Sequence, residues 1–278
     1  MARAAAKAHA VETYPQEACG VLKNGTYVRC TNTATEKDTF VIAAEEWHNL
    51  QPVEALIHSH PDGPGFPSMQ DMKSQIDMDI PWGLIVVGKG GPNGEIMAAD
   101  PWFWGDTLPI APLTMRDFRH GPSGTDNKGD CYALIRDVYR SDPAEIQAAI
   151  DRATGRIHAP APPRHGAPVQ RTLETWPLAA PVVLDEIPRD DSWWTKGSNL
   201  YLDHFNAVGF DAIVKDPKMV RAGDIFLTRL ISKVPNHGMV YLGNNLIMHH
   251  KPGRPANIEP CHRWFPNLTH VLRYRGVS

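Results

Sequence analysis

Two domains are predicted, an α/β domain over residues 1–112 and an α+β domain with an antiparallel sheet over residues 113–278, from three features of the chain. The apolar runs VEALIHSHP and WGLIVVGKG flank the polar, helix-compatible SMQDMKSQIDM, a strand–helix–strand pattern. FWGDTLPIAP, from Phe103 to Pro112, then loses periodicity and carries two prolines, which places a boundary near residue 112. Beyond it, helical patterns give way to four short apolar runs, AGDIFL, HGMVYLG, NLIMHH and THVLRYR, the spacing of an antiparallel sheet.

The elements follow in order. MARAAAKAHA forms a short helix, and GVLKNGTYVRCTNTA a hairpin, because Asn24-Gly25 supplies the positive φ angles of a type I′ turn. CYALIRDVYRSD opens the second domain as a helix with Leu134, Ile135, Val138 and Tyr139 on one face. SNLYLDHFNAVGF is a second helix, with Ser198 as N-cap and Gly209 as its left-handed stop. The 25 prolines bunch at 101–122, 143–188 and 252–266, where repeated Pro excludes regular helix or central strand, so 143–188 is expected to be an insertion outside the core.

Composition excludes several function classes. The chain is 42% hydrophobic and 21% charged with a net charge of −3, and its basic residues form no runs, so the footprint for binding a phosphate backbone is missing and nucleic acid is not an expected partner. No stretch of about 18 apolar residues exists to span a membrane, and MARAAAKAHAVETYPQ lacks the apolar core of a signal peptide. The expectation is a soluble protein made in a cytoplasm. Cys19, Cys30, Cys131 and Cys261 are too few and too scattered for a disulfide framework, which leaves room for one special thiol.

The first chemical constellation is Glu17, His58, His60, Ser68 and Asp71. In ALIHSHP the two histidines are two apart on a predicted strand, so they leave the same face and can converge on one ion. Asp71 as third ligand leaves the fourth tetrahedral position to water, as in catalytic zinc sites, and Glu17 is the candidate to take that water's proton. Ser68-x-x-Asp71 is equally the pattern of a helix capping box. QEACG, HSHP and PSMQD in this order, with seven residues between His60 and Ser68, resemble the JAMM (Mov34/MPN) metallopeptidase signature over residues 5–100. The resemblance implies zinc on His58, His60 and Asp71, Glu17 as general base and Ser68 as donor to the developing oxyanion.

The second constellation is Cys131 with a pair of histidines. Cys131 opens a helix, where free N–H groups and the macrodipole favour a thiolate, so a lowered pKa is expected. A three-residue loop Gly243-Asn244-Asn245 puts His237 diagonal to His249 on one face, whereas a two-residue loop Asn244-Asn245 makes His250 the face-mate. DCYALIR, GDIFL and HGMVYLGN, with a histidine twelve residues after His237, resemble the NlpC/P60 family. That resemblance implies a papain-like α+β fold, a Cys131–His237–His249 triad and cleavage of cell-wall stem peptides beside a D-configured residue. Many members carry a tyrosine about a dozen residues before the cysteine, but FRHG stands here, with Phe118 or His120 in its place and the oxyanion donor left open.

The order of the two modules, together with DCYALIRDVYR and DDSWWTKGSNLY, resembles the tail-assembly peptidases of lambda-type long-tailed phages. This implies phage tail-tip proteins and peptidoglycan stem peptides as partners, with residence in the infected cytoplasm and then at the virion tail tip. Trp193, Trp194 and Tyr201 are read as core aromatics ahead of a contact role. Two other readings stand beside this one: a structural tail-tip component with vestigial peptidase sites, and a cellular endopeptidase acting on peptidoglycan fragments.

Overall fold

The computed structural model describes residues 1–157 and 175–276. The chain divides into two compact units, Met1–Pro109 with Gly124–Asn127, and Ile110–Ser123 with the chain from Lys128 onward. In the first unit α1 (Ala2–Thr13), β1 (Cys19–Lys23), β2 (Thr26–Cys30), α2 (Ala44–Leu50), β3 (Ala55–Pro61), α3 (Met69–Met78), β4 (Trp82–Gly90), β5 (Glu95–Ala98) and β6 (Trp102–Trp104) follow one another. The sheet runs β2-β1-β3-β4-β5, with β6 also on β4, and is mixed, because only the β3–β4 pair, joined through α3, is parallel. Asn24 and Gly25 turn the β1–β2 hairpin at φ 50° and 69°. Ala6 and Ala10 of α1 pack on one face with Tyr27, Ile57, Ile85 and Val87, and Leu56, Trp82, Leu84, Trp102 and Trp104 fill the other. Covered on both faces, β3 is buried along its whole length, histidines included.

The second unit contains β7 (Asp117–Phe118), β8 (Lys128–Gly129), α4 (Cys131–Arg140), α5 (Pro143–Ile157), α6 (Leu200–His204), β9 (Phe210–Ile213), β10 (Ile225–Thr228), β11 (His237–Gly243), β12 (Leu246–His249), β13 (Asn257–Pro260) and β14 (Leu268–Tyr274). Its main sheet is antiparallel throughout, in the order β13-β12-β11-β10-β14-β9; the four expected strands form its middle and β9 and β13 extend its edges. Leu134, Ile135, Val138 and Tyr139 of α4 pack on Val240, Leu242 and Met248, each such aliphatic side chain contributing about 1.5–3 kcal/mol on burial.

Two expectations are corrected. The span 143–188 is not excluded from helix or core: Pro143 occupies the first position of α5, where its missing N–H costs nothing, and Ile146 and Ile150 are buried. Trp176, Leu178, Leu184 and Ile187 are also buried in that core, while residues 158–174 lie outside the described chain. The helix expected from Ser198 to Gly209 is a single turn. Asn199 is its N-cap without a side-chain cap bond, Asp203 accepts from Asn199 N at 3.0 Å, and turns lead to Gly209 at φ 96°.

Candidate functional site

β3 and the start of α3 bring three of the expected residues together. His58 and His60 Nε2 are 3.2 Å apart, and Asp71 closes the triangle, with Oδ1 3.5 Å from His58 Nε2 and Oδ2 3.4 Å from His60 Nε2. Ser68 caps α3: its Oγ accepts from Asp71 N at 3.1 Å, and its own N–H donates to Asp71 Oδ2 at 2.7 Å. The capping box therefore aims the carboxylate, and the bland and chemical readings of Ser68-x-x-Asp71 coincide. His60 Nδ1 lies 3.1 Å from the Pro64 carbonyl, which can only accept, so Nδ1 holds the hydrogen and Nε2 turns a lone pair inward. Phe40 stacks on His58 at 5.1 Å, with Trp82 and Trp104 edge-on at 5.6 and 6.2 Å. Ligands on a tetrahedral ion with bonds of about 2.0–2.1 Å stand about 3.3 Å apart. The observed separations of 3.2, 3.5 and 3.4 Å fit such an ion.

Electrostatics agree with that fit. Burial would raise the Asp71 carboxyl, but His58, His60 and the Ser68 side chain outweigh it and hold it well below the usual carboxylate range. Burial pushes Glu17 up to about 7, against the pull of His60. Glu17 precedes β1 and is held beside β3 by two bonds, Ser59 N–H to the Ala18 carbonyl at 3.0 Å and Ala18 N–H to Ser59 Oγ at 2.9 Å. It lines, with His60, Ser68 and Asp71, a cavity of about 820 Å³ whose opposite wall is apolar Phe40, Ile42 and Trp47.

In the second unit Cys131 opens α4 at the edge of a cavity of about 760 Å³ that His237 also lines. Asp130 is the N-cap, accepting from Ala133 N at 2.9 Å, and Arg189 grips its carboxylate at 2.7 and 2.9 Å while also holding Glu186 at 2.6 Å. Within the 143–188 span, the Leu184 and Asp185 carbonyls accept from Arg136 Nε and the Tyr132 hydroxyl, and Glu186 pairs with Arg136 at 2.7 Å, so the expected insertion anchors α4. Gly243 pairs with Leu246 across a two-residue Asn244-Asn245 turn, not the three-residue loop, but a bulge between Tyr241 and Gly243 shifts the register so that Met239 faces His249, and His237 Nε2 lies 3.0 Å from His249 Nδ1. His237 pairs in this way with His249 rather than His250. The Cys131 sulfur itself is 3.1 Å from the Tyr201 hydroxyl and 4.0 Å from the Asn236 carbonyl, so at rest the thiol faces these groups.

The expected lowering of the Cys131 pKa is not found. Burial first, and then the neighbouring Asp130 charge, push the thiol up, and the Tyr201 hydroxyl and the Gly238 N–H only partly offset them. Burial, His249 and Lys251 push His237 well below its ordinary value. The resting pair is therefore a neutral thiol beside a neutral imidazole. In the FRHG segment Phe118 packs edge-on against His250, and His120 Nε2 is bonded to the Arg189 carbonyl at 3.2 Å.

Tyr201 is the partner that sequence reading placed among core aromatics. A Cβ at Gly238 would stand 2.8 Å from its hydroxyl and 2.7 Å from Ile135 Cδ1, so only glycine lets β11 approach this closely. Glu259 and Trp264 were not singled out at all. Glu259 Oε1 is 3.3 Å from His249 Nε2 and accepts from Trp264 Nε1 at 2.5 Å, and the Trp264 ring packs on both histidines. Spacing carried no signal for either, since β13 itself went unread.

His250 is fully buried and both its ring nitrogens lack a hydrogen-bond partner among the described residues. His250→Ala is consequently not the silent change that an exposed neighbour would be, because it leaves a cavity. His250→Leu, which fills the space but gives up the contact with the Arg116 backbone, is expected to change stability by less than about 1 kcal/mol in urea unfolding at pH 7. Burial lowers His250 to about 4, below its unfolded value of 6.5, so its neutral form contributes stability that is lost as pH falls between these values. Unfolding curves at pH 7 and pH 5 should show a smaller acid loss in His250→Leu than in wild type.

Comparison with known proteins follows this geometry. Residues 2–101 match the prokaryotic homologs of the JAB domain, and residues 115–273 match the NlpC/P60 family. Tail tip assembly protein K of Escherichia phage lambda is 26% identical over 239 residues, covering 84% of this chain and 90% of that protein. Its namesake in Escherichia phage N15 is 25% identical over 285 residues, covering 97% and 93%. A crystal structure of an NlpC/P60 family protein from Bacillus cereus aligns with 95% of this chain and 65% of its own, at 12% identity and a TM-score of 0.28. With the match to residues 115–273 taking in more than half of its length, the chain belongs to the NlpC/P60 family, and it carries a JAB-like region ahead of that domain.

Proposed function

We propose that the chain is a phage tail-tip assembly protein with two peptidase centres, a thiol centre that cleaves peptidoglycan stem peptides and a zinc centre that cleaves a peptide or isopeptide bond. The observation that carries this reading is the gathering of Cys131, Tyr201 and His237 around one cavity, with His249 behind His237. Similarity to the tail tip assembly proteins of two phages, across 84% and 97% of the chain, supports the tail tip as its place of action. The protein is made in the infected cell and acts in tail maturation or in opening the wall for the incoming genome.

In the thiol centre, sulfur attacks the scissile carbonyl carbon as His237 takes the thiol proton on Nδ1, the nitrogen not engaged with His249. The carbonyl electron pair moves onto oxygen, where the Tyr201 O–H and the Cys131 backbone N–H, free at the first position of α4, can donate to it. The Tyr201 hydroxyl keeps its hydrogen, because burial and the adjacent Cys131 raise its pKa well above the ordinary value. His237 returns the proton to the leaving amine as the C–N bond breaks, then activates the water that hydrolyses the thioester. In the first unit His58, His60 and Asp71 would hold zinc, which when bound activates a water and polarises the carbonyl. Glu17 holds and passes the proton there, and the Ser68 hydroxyl, which accepts from Asp71 N and also bonds the Asp71 carboxylate, would turn from that carboxylate to donate toward the substrate oxygen.

Purified peptidoglycan incubated with the protein should release cleaved stem peptides, and chelator should leave that release intact. Tyr201→Phe, which keeps the ring and removes only the donor, is expected to lower kcat by about 10²-fold with little change in KM. Release abolished by chelator yet retained in Tyr201→Phe would move wall cleavage to the first unit. No release under any condition would favour the structural role.

A further inference from the structure

We propose that Glu259 is the outer member of a polar chain, Glu259 to His249 to His237, that selects which nitrogen of His237 is free to take the Cys131 proton. The inference rests on Cys131 and His237 being nucleophile and base. β13 pairs with β12 so that Asn257 lies opposite His249 and Glu259 opposite Ile247, which sets Glu259 diagonal to His249 on the same face of the sheet. From there Oε1 stands 3.3 Å from His249 Nε2 as an ion-pair contact, the Asn257 side chain bonds to His249 beside it, and His249 Nδ1 is 3.0 Å from His237 Nε2.

A neutral imidazole has one hydrogen and one bare nitrogen, and a carboxylate can only accept. Facing Glu259, His249 must carry its hydrogen on Nε2, and its Nδ1 is then bare. Only a hydrogen on His237 Nε2 satisfies that bare nitrogen. His237 Nδ1 is left with a lone pair, the state a base requires. Without Glu259, His249 is left with the Asn257 amide, which can donate as well as accept, so it can take the opposite tautomer, present Nδ1–H to His237, and leave the hydrogen of His237 on the nitrogen that should receive the proton.

The acceptor is itself held in place. Trp264 Nε1–H donates to the same Oε1 at 2.5 Å, the Lys251 ammonium stands 5.2 Å over the Trp264 ring, and the indole packs against both histidines at 5.7 and 5.0 Å. Burial would raise the Glu259 carboxyl, but Trp264, His249, Lys251 and Asn257 hold it below its ordinary value. Glu259 is a positioning residue, since it acts on the thiol only through two rings.

The test uses iodoacetamide on the full chain, with alkylation of Cys131 followed by peptide mass, so no substrate is needed. In Glu259→Ala the rate at pH 7 is expected to fall about tenfold, whereas at about pH 10, where hydroxide rather than His237 removes the proton, it should match wild type. Glu259→Gln keeps an acceptor oxygen and should retain most of the neutral rate. Long-range proton–nitrogen NMR should place the His249 hydrogen on Nε2 in the wild type. An unchanged neutral rate in Glu259→Ala, a fall of equal size at both pH values, or a His249 hydrogen on Nδ1 would each overturn the proposal. Wild-type protein that shows the expected alkylation pattern but releases no stem peptide would overturn the substrate reading alone.

Discussion

Cys131→Ser is expected to lower stem-peptide release from purified peptidoglycan by about four orders of magnitude or more, since the nucleophile and its base act as one unit. A serine hydroxyl is a much weaker acid than a thiol, and His237, pushed well below its ordinary pKa by burial, is too weak a base to activate it. The other cysteines offer no substitute. Cys19 and Cys30 are buried with thiols raised to about 12 and about 11, and Cys261 is also buried, donating to Asn245 Oδ1. Release should be followed by mass spectrometry of soluble peptides, with thermal unfolding to show that the variant folds. Retention of even a tenth of the wild-type rate would remove Cys131 from the reaction.

Asp71→Ala is expected to reduce bound zinc from about one per chain to below about a tenth, measured by elemental analysis after dialysis without chelator. The carboxylate lies within 3.5 Å of His58 Nε2 and 3.4 Å of His60 Nε2, so its loss leaves two imidazoles that cannot complete a site. It also removes the reciprocal half of the α3 capping box, the bond from Ser68 N to the carboxylate, while the bond from the residue-71 N–H to Ser68 Oγ remains. Asp71→Asn separates these effects, because its amide oxygen can still accept from Ser68 N while giving up the ligand's charge. Wild-type protein without zinc would end the metal assignment.

Local patterns explain what could be read in advance. His58 and His60 lie two apart on a strand, and Asp71 is placed by a cap within three residues, so short-range geometry nearly determines their meeting. Loop length alone did not decide the β11–β12 register: Asn244 and Asn245, both at positive φ, form the two-residue turn, and the bulge between Tyr241 and Gly243, which no residue pattern announces, sets His249 opposite Met239. Tyr201 and Glu259 reach the thiol centre through tertiary packing, which no periodicity announces. The Cys131 pKa was misjudged because a helix terminus is a weaker influence than desolvation beside the Asp130 charge. Proline counting misjudged 143–188 because a proline at a helix start, or in an extended buried segment, breaks nothing.

The sulfur of Cys131 meets Tyr201 at a separation of 70 residues along the chain and Asn236 at 105. Closing loops of that length is slow and cooperative, so these contacts form only when the sheet of the second unit is complete. A nascent chain, or one trapped part-way, therefore holds a thiol without a catalyst around it. Under the function proposed above, hydrolytic competence would follow completion of the second unit's sheet, and an unfinished chain would carry Cys131 without the groups that activate it.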